Sequence, residues 1–176
     1  MKRTKLIESG SSEGRTGHSA PRRVDGLVSC SLAQSSPWPK VRLKGARAKG
    51  KAYERKVGKL FRKLMGEQTL QGELFEGQWL AFYDANGRGY AQPDYYILAP
   101  AVVLLVEVKL KQNTDAHLQL DQLYRPLLER LYALPVVMLQ VFKFPRWEAD
   151  ARRIPSLQGL ADRPPGKIWE WHWLGD

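Results

Sequence analysis

Four side chains stand out as a set that could do chemistry together: Glu54, Asp94, Glu107 and Lys109. Asp94 follows Pro93, and after twelve further residues comes Glu107-Val108-Lys109. Two short apolar runs about Ala99-Pro100-Ala101 predict a hairpin, with Asp94 to Leu98 as one strand and Val102 to Lys109 as the other. With Pro100 and Ala101 as the loop, Ala99 faces Val102 and Asp94 faces Glu107. Facing residues share one side of the sheet with their Cβ atoms roughly 4.5–5.5 Å apart. Two carboxylates so placed repel unless a cation lies between them. Lys109, two residues beyond Glu107, falls on the same side; a one-residue bulge would break this register. Counting Glu54, three hard oxygen donors beside an ammonium suit Mg2+ or Mn2+. Such an ion acidifies a bound water and neutralises charge growing on a phosphate oxygen. Lys109 is then placed to hold the nucleophile or to stabilise the pentacovalent transition state. The reaction these groups fit best is metal-assisted hydrolysis of a phosphodiester.

The elements that must position them can be read in order. Lys49 to Met65 predicts a helix whose apolar stripe is Tyr53, Val57, Leu60, Phe61 and Leu64, with Arg55, Lys56, Lys59, Arg62 and Lys63 on the other face. Glu54 falls at the edge of the stripe, where a carboxylate needs a partner. A salt bridge to a neighbouring Lys or Arg would serve as well as a metal. Gly66 to Gly77 reads as a loop and QWLAFY (78–83) as a strand, with Asn86-Gly87-Arg88-Gly89 as the turn into the hairpin. Gln112-Asn113-Thr114-Asp115 caps a helix from near Ala116, whose core face is Leu120, Leu123, Tyr124, Leu127 and Leu131. Pro126 should kink or divide that helix, and Leu134 to Phe142 is a further buried strand. The order helix, strand, strand, strand, helix, strand predicts an α/β fold, a mixed sheet flanked by helices. In the tail, Ile168 to Leu174 alternates with period two, placing Trp169, Trp171 and Trp173 on one side of a strand. Such a row either packs on the body or stacks on bases, and packing is the expectation.

Composition narrows the partners. The chain has 176 residues, with 28 Lys and Arg against 18 Asp and Glu, a net charge of +10. This is one domain by size, and its charge favours a polyanion, nucleic acid before an anionic membrane surface. No apolar run reaches membrane-spanning length, and the basic N-terminus lacks the apolar core of a secretory signal. The single cysteine, Cys30, excludes an internal disulfide and a cysteine-based zinc site. The expected setting is cytoplasmic or another reducing compartment that holds DNA. Residues 1–48 are rich in Ser, Gly, Pro and cations and read either as a nucleic-acid-binding arm or as an unstructured leader. Within them Leu27 to Leu32 could form a short strand. His18, His117 and His172 show no ligand spacing, and Gly87-Arg88-Gly89 is too short to cradle phosphate.

Pro93-Asp94 followed by Glu107-Val108-Lys109 resembles the signature of the PD-(D/E)XK nuclease superfamily, as does a glutamate on the preceding helix. KGKAYERKVGKLF (49–61), GRGYAQPDYYI and LLVEVKLK together are similar to archaeal-type Holliday junction resolvases. The hairpin followed by Gln119 or Gln122 on a helix also resembles the VRR-NUC nucleases. The likeness covers Lys49 to Phe142 and leaves 1–48 and the Pro/Arg/Trp-rich 143–176 outside it. It implies a restriction-endonuclease-like αβββαβ core and a Mg2+- or Mn2+-dependent DNA endonuclease acting on branched or otherwise structured DNA, in recombination or repair, as a homodimer if the resolvase likeness holds. It further implies Asp94, Glu107, the Val108 carbonyl and Glu54 as metal ligands and Lys109 as the catalytic lysine. Lys49, Lys51, Arg55, Lys56, Arg88 and Lys111 are the cations expected to hold DNA. The alternative is a non-catalytic nucleic-acid-binding or assembly protein that keeps the fold.

Overall fold

The computed structural model describes residues 22–39, 42–153, 156, 159–160 and 166–175. Its elements in chain order are β1 (Ser29–Leu32), α1 (Gly45–Gly66), β2 (Glu73–Glu76), β3 (Leu80–Asp84), β4 (Gly87–Ala91), β5 (Tyr95–Leu98), β6 (Val103–Lys111), α2 (Thr114–Gln119), a π-helical turn (Leu120–Tyr124), α3 (Arg125–Tyr132), β7 (Val136–Phe144) and β8 (Ile168–His172). They form a mixed α/β fold with two sheets, β2-β5-β6-β7-β8 and β1-β3-β4. The larger sheet is antiparallel from β2 to β6 and parallel from β6 to β8.

Strand alternation divides the core between the two faces of the large sheet. Tyr95, Ile97, Leu104, Val106, Val108, Leu139, Val141 and Trp171 pack on one side, against Tyr53, Val57 and Phe61 of α1. Tyr96, Val103, Leu105 and Met138 pack on the other, against the helix of residues 114–132 and against Leu80, Phe82 and Ala91 of the small sheet. α1 lies very close to β5. A Cβ on Gly58 would stand 2.6 Å from the Tyr95 hydroxyl oxygen, and that hydroxyl donates to the Glu54 carbonyl at 2.8 Å. Glycine at 58 therefore sets how near the helix carrying Glu54 comes to the hairpin.

The hairpin has the expected register: Leu98 faces Val103 and Tyr95 faces Val106, and the Ala99 N–H donates to the Val102 carbonyl across the loop at 3.0 Å. Other strands differ from the reading of the sequence. The supposed loop of 66–77 contains β2, an edge strand paired to β5. Gly72 enters it at φ 134°, where a Cβ would lie 2.5 Å from the Leu98 carbonyl oxygen, so the turn depends on glycine. The QWLAFY strand belongs to the small sheet, paired with β1 and β4. Arg88 and Gly89, read as a turn, are the middle of β4.

Asn113 caps α2 through its side-chain oxygen, which accepts from the Ala116 N–H at 3.0 Å. Pro126 stands in the first turn of α3, just after the π-helical turn. Having no N–H, it leaves the Gln122 carbonyl without its helical donor, and the Val24 N–H takes that place at 3.0 Å. Residues 24–33 are further joined to the body by β1 and by the Val28 N–H on the Tyr83 carbonyl at 2.9 Å. Residues 1–21, the first part of the supposed arm, lie outside the described residues. The tail strand is β8, and its indoles pack on the α1 side of the large sheet, Trp171 fully and Trp169 and Trp173 in part.

Candidate functional site

Asp94 is the residue just before β5, so the hairpin register sets it opposite Glu107 of β6. Its Oδ2 accepts the Val108 N–H at 2.8 Å, which fixes the carboxylate against the neighbouring strand. Glu107 is buried. One of its oxygens pairs with the Lys109 ammonium, and the other, Oε2, is buried with no hydrogen-bond donor. Burial, then the charges of Glu107 and Glu54, push Asp94 well above the ordinary carboxylate range, against the opposing pull of Val108 and Lys109. Burial also raises Glu107, and Lys109 offsets this in part. For Lys109, burial works to lower the pKa, but the charges of Glu107, Asp94 and Glu54 outweigh it and the ammonium is held above its usual value.

Glu54 is largely buried and forms an ion pair with Lys51 one turn earlier. The salt bridge weighed for it from the sequence is thus present, while its charge still bears on Asp94, Glu107 and Lys109. Val108, expected to offer its carbonyl, donates its N–H to Asp94. Tyr124, read only as helix core, is buried with its phenol in the field of Glu107 and Asp94; burial first and those charges second raise its pKa. Nothing in the periodicity of its helix distinguishes it from the leucines beside it. Of the two glutamines, Gln119 has a buried side-chain oxygen with no donor, whereas Gln122 serves through its backbone carbonyl. Among the described residues no three His, Cys, Asp or Glu side chains form a ready metal cage. Asp94 and Glu107 are the two acids that the hairpin register sets face to face.

The pair is half of a longer polar row. Glu107 is in register with Gln140 of β7, and Gln140 with Glu170 of β8, so four polar side chains cross four strands at one level. At the far end Glu170 accepts from Gln112 at 2.9 Å, from the Trp147 indole at 2.8 Å and from His117 at 2.9 Å. His117 Nε2 also meets Gln140 Oε1 at 3.1 Å. Lying between two acceptors, that nitrogen carries the proton. The sequence shows no ligand spacing for His117; the parallel pairing of β7 and β8 brings its partners in from far along the chain. His172 stacks on Phe142 and reaches the Lys143 carbonyl, and His18 lies outside the described residues. Cys30 sits half-buried in β1, its thiol pushed up to about 11 by burial, which makes it a poor nucleophile.

The expected DNA-binding cations are distributed unevenly. Lys51 and Arg55 line a cavity on one side of α1. Lys49 and Lys56 line another with Lys143 and Phe144, and Lys56 also donates to the Gly175 carbonyl at 2.9 Å. Lys111 is exposed at the end of β6. Arg88 sits apart from these in the small sheet, its guanidinium over the Tyr90 ring at 5.0 Å. Among the described residues no helix is long and apolar enough to cross a membrane. Compared with protein-family models, with curated proteins and with solved structures, the chain gives no match.

Proposed function

We propose that the chain is a DNA endonuclease dependent on Mg2+ or Mn2+, with a PD-(D/E)XK-type core and a preference for branched or otherwise structured DNA. The observation that carries the reading is the facing pair Asp94 and Glu107, with a buried Glu107 oxygen that no donor satisfies and an ammonium alongside. A buried carboxylate oxygen without a partner is costly to folding. Asp84 Oδ2 lacks one too, but Asp84 is paired with Arg22 and faces no second acid. Glu107 faces Asp94, and that crowding argues for use. The order α1, β2, β5, β6, helix 114–132, β7 supports the same core, with β3 and β4 inserted as a separate hairpin.

These residues fit a hard divalent cation: Asp94 and Glu107 would hold it, with Glu54 reaching it directly or through water. When bound, the ion acidifies water and neutralises charge on the scissile phosphate. The protein's own groups have separable tasks. The Val108 N–H orients Asp94. Lys109 stays protonated beside three carboxylates and so donates hydrogen bonds to the attacking water or a phosphate oxygen; it is a poor proton acceptor. Tyr124, kept neutral, walls the pair from the helix side. Lys51, Arg55, Lys49, Lys56 and Lys111 offer positive charge for the DNA backbone. A homodimer would present two such sites, one to each strand, and sedimentation with and without DNA tests this.

The direct test is cleavage of plasmid and of a labelled four-way junction with Mg2+ or EDTA. Wild type is expected to cut with Mg2+ alone, and Asp94→Ala and Lys109→Ala to bind but not cut. If wild type binds and never cuts with either metal, a non-catalytic DNA-binding protein is what remains.

A further inference from the structure

Between α1, the segment leading into it and the ends of the β3–β4 hairpin lies a cavity of about 810 Å3. Arg42, Lys51 and Arg55 supply positive charge to its wall, and Trp79 and Leu43 supply apolar surface. No carboxylate is among the described residues that line it. Two connections join it to the candidate site. Lys51 is the ion-pair partner of Glu54, and Gln92, on the cavity wall, stands two residues before Asp94.

We infer that this cavity receives a single unpaired nucleotide from the DNA strand that enters the site. The volume is in the range of small-ligand pockets, about 300–1,000 Å3. Its chemistry divides as a nucleotide does: an indole offers a face on which any base can stack, and guanidinium groups match phosphate oxygens. A base within a duplex has neighbours on both faces and cannot reach the indole, so the occupant is unstacked. The inference rests on the nuclease reading for the identity of the polymer, and it adds a reason for selecting structured DNA: a branch point or a tail presents a nucleotide free to leave its stack.

The test is binding without cutting. Fluorescence anisotropy with EDTA compares a blunt duplex with the same duplex carrying a short single-stranded extension. Wild type is expected to prefer the tailed DNA. Trp79→Ala should lose about tenfold in affinity for the tailed form, within the usual range for one base stacked on an aromatic ring, and leave the blunt duplex nearly unchanged. Trp79→Phe should restore most of the loss. Arg42→Gln, at an exposed position, should weaken the tailed form selectively, and a 2-aminopurine in the extension should be quenched by wild type but not by Trp79→Ala. Equal losses on both DNAs, or none with folded Trp79→Ala and Arg42→Gln proteins, overturn the proposal. The two readings fail separately. Tail preference that depends on Trp79, with no cleavage in Mg2+, retains the cavity and removes the nuclease. Cleavage with a tail preference indifferent to Trp79 does the reverse.

Discussion

The two ends of the polar row across the large sheet are built from the same materials and treated in opposite ways. At the β7–β8 end, Glu170 is nearly as buried as Glu107, yet both its oxygens receive donors, from Gln112, His117 and Trp147. At the β5–β6 end, two acids face one another and a buried oxygen of Glu107 receives none. Burial alone therefore does not mark a site. A carboxylate whose hydrogen bonds are complete is part of the scaffold; one held short of partners beside another acid is available for a ligand.

The sharpest way to break the comparison is to neutralise one acid at each end. Glu107→Gln is expected to lower Mg2+-dependent cleavage by at least about 100-fold, read as the initial rate of plasmid nicking, while Glu170→Gln keeps the rate within about threefold. If both variants lose activity equally, the two ends are one site. Stability should show the opposite ranking. Glu170→Ala strands three donors and is expected to cost about 2–4 kcal/mol in urea unfolding, whereas Glu107→Gln in metal-free protein costs less. Gly58→Ala comes next, at about 1–3 kcal/mol, because the added methyl meets the Tyr95 ring; trimming that ring with Tyr95→Phe in the same protein should recover part of it.

The smallest expected effect is on pH. Burial and the facing Glu107 raise Asp94 above its ordinary value of 3.8, so folding disfavours its ionised form. Its contribution is fullest below that ordinary value and is lost as pH rises through the folded pKa. Metal-free protein should therefore lose a few degrees of Tm relative to Asp94→Asn between about pH 5 and about pH 8. Mn2+, which needs the carboxylates ionised, should raise the wild-type Tm more at the upper pH than at the lower. A Tm difference that does not change with pH would place Asp94 in an ordinary, solvated setting.

What could be read from the sequence was local. A two-residue loop leaves little freedom of register, so the opposition of Asp94 and Glu107 followed from counting. The Asn113 cap and the division of the helix at Pro126 also depend only on near neighbours. Sheet membership was not legible. QWLAFY has the pattern of a strand in any sheet, and nothing within it says that it pairs with β1 and β4. ELFE, with an acid at each end, looks like a loop because β2 is a half-exposed edge. Gly87 and Gly89 disguise β4. The tail was set aside as an extension, although Glu170 and the indoles of β8 complete the large sheet; that joining is made by a parallel pairing between Met138–Phe142 and Ile168–His172, a separation over which periodicity carries no information.

Pro126 removes one hydrogen bond from its own helix, and the oxygen so released becomes a mooring for the backbone at Val24. From there the chain runs along Ala85 and Tyr83 and closes the edge of β3 with β1. A version of the protein trimmed back to the start of α1 would thus bare a row of amide and carbonyl groups on β3, the kind of edge that recruits a second chain. Shortening the N-terminus in that way would turn a closed flank into an adhesive one.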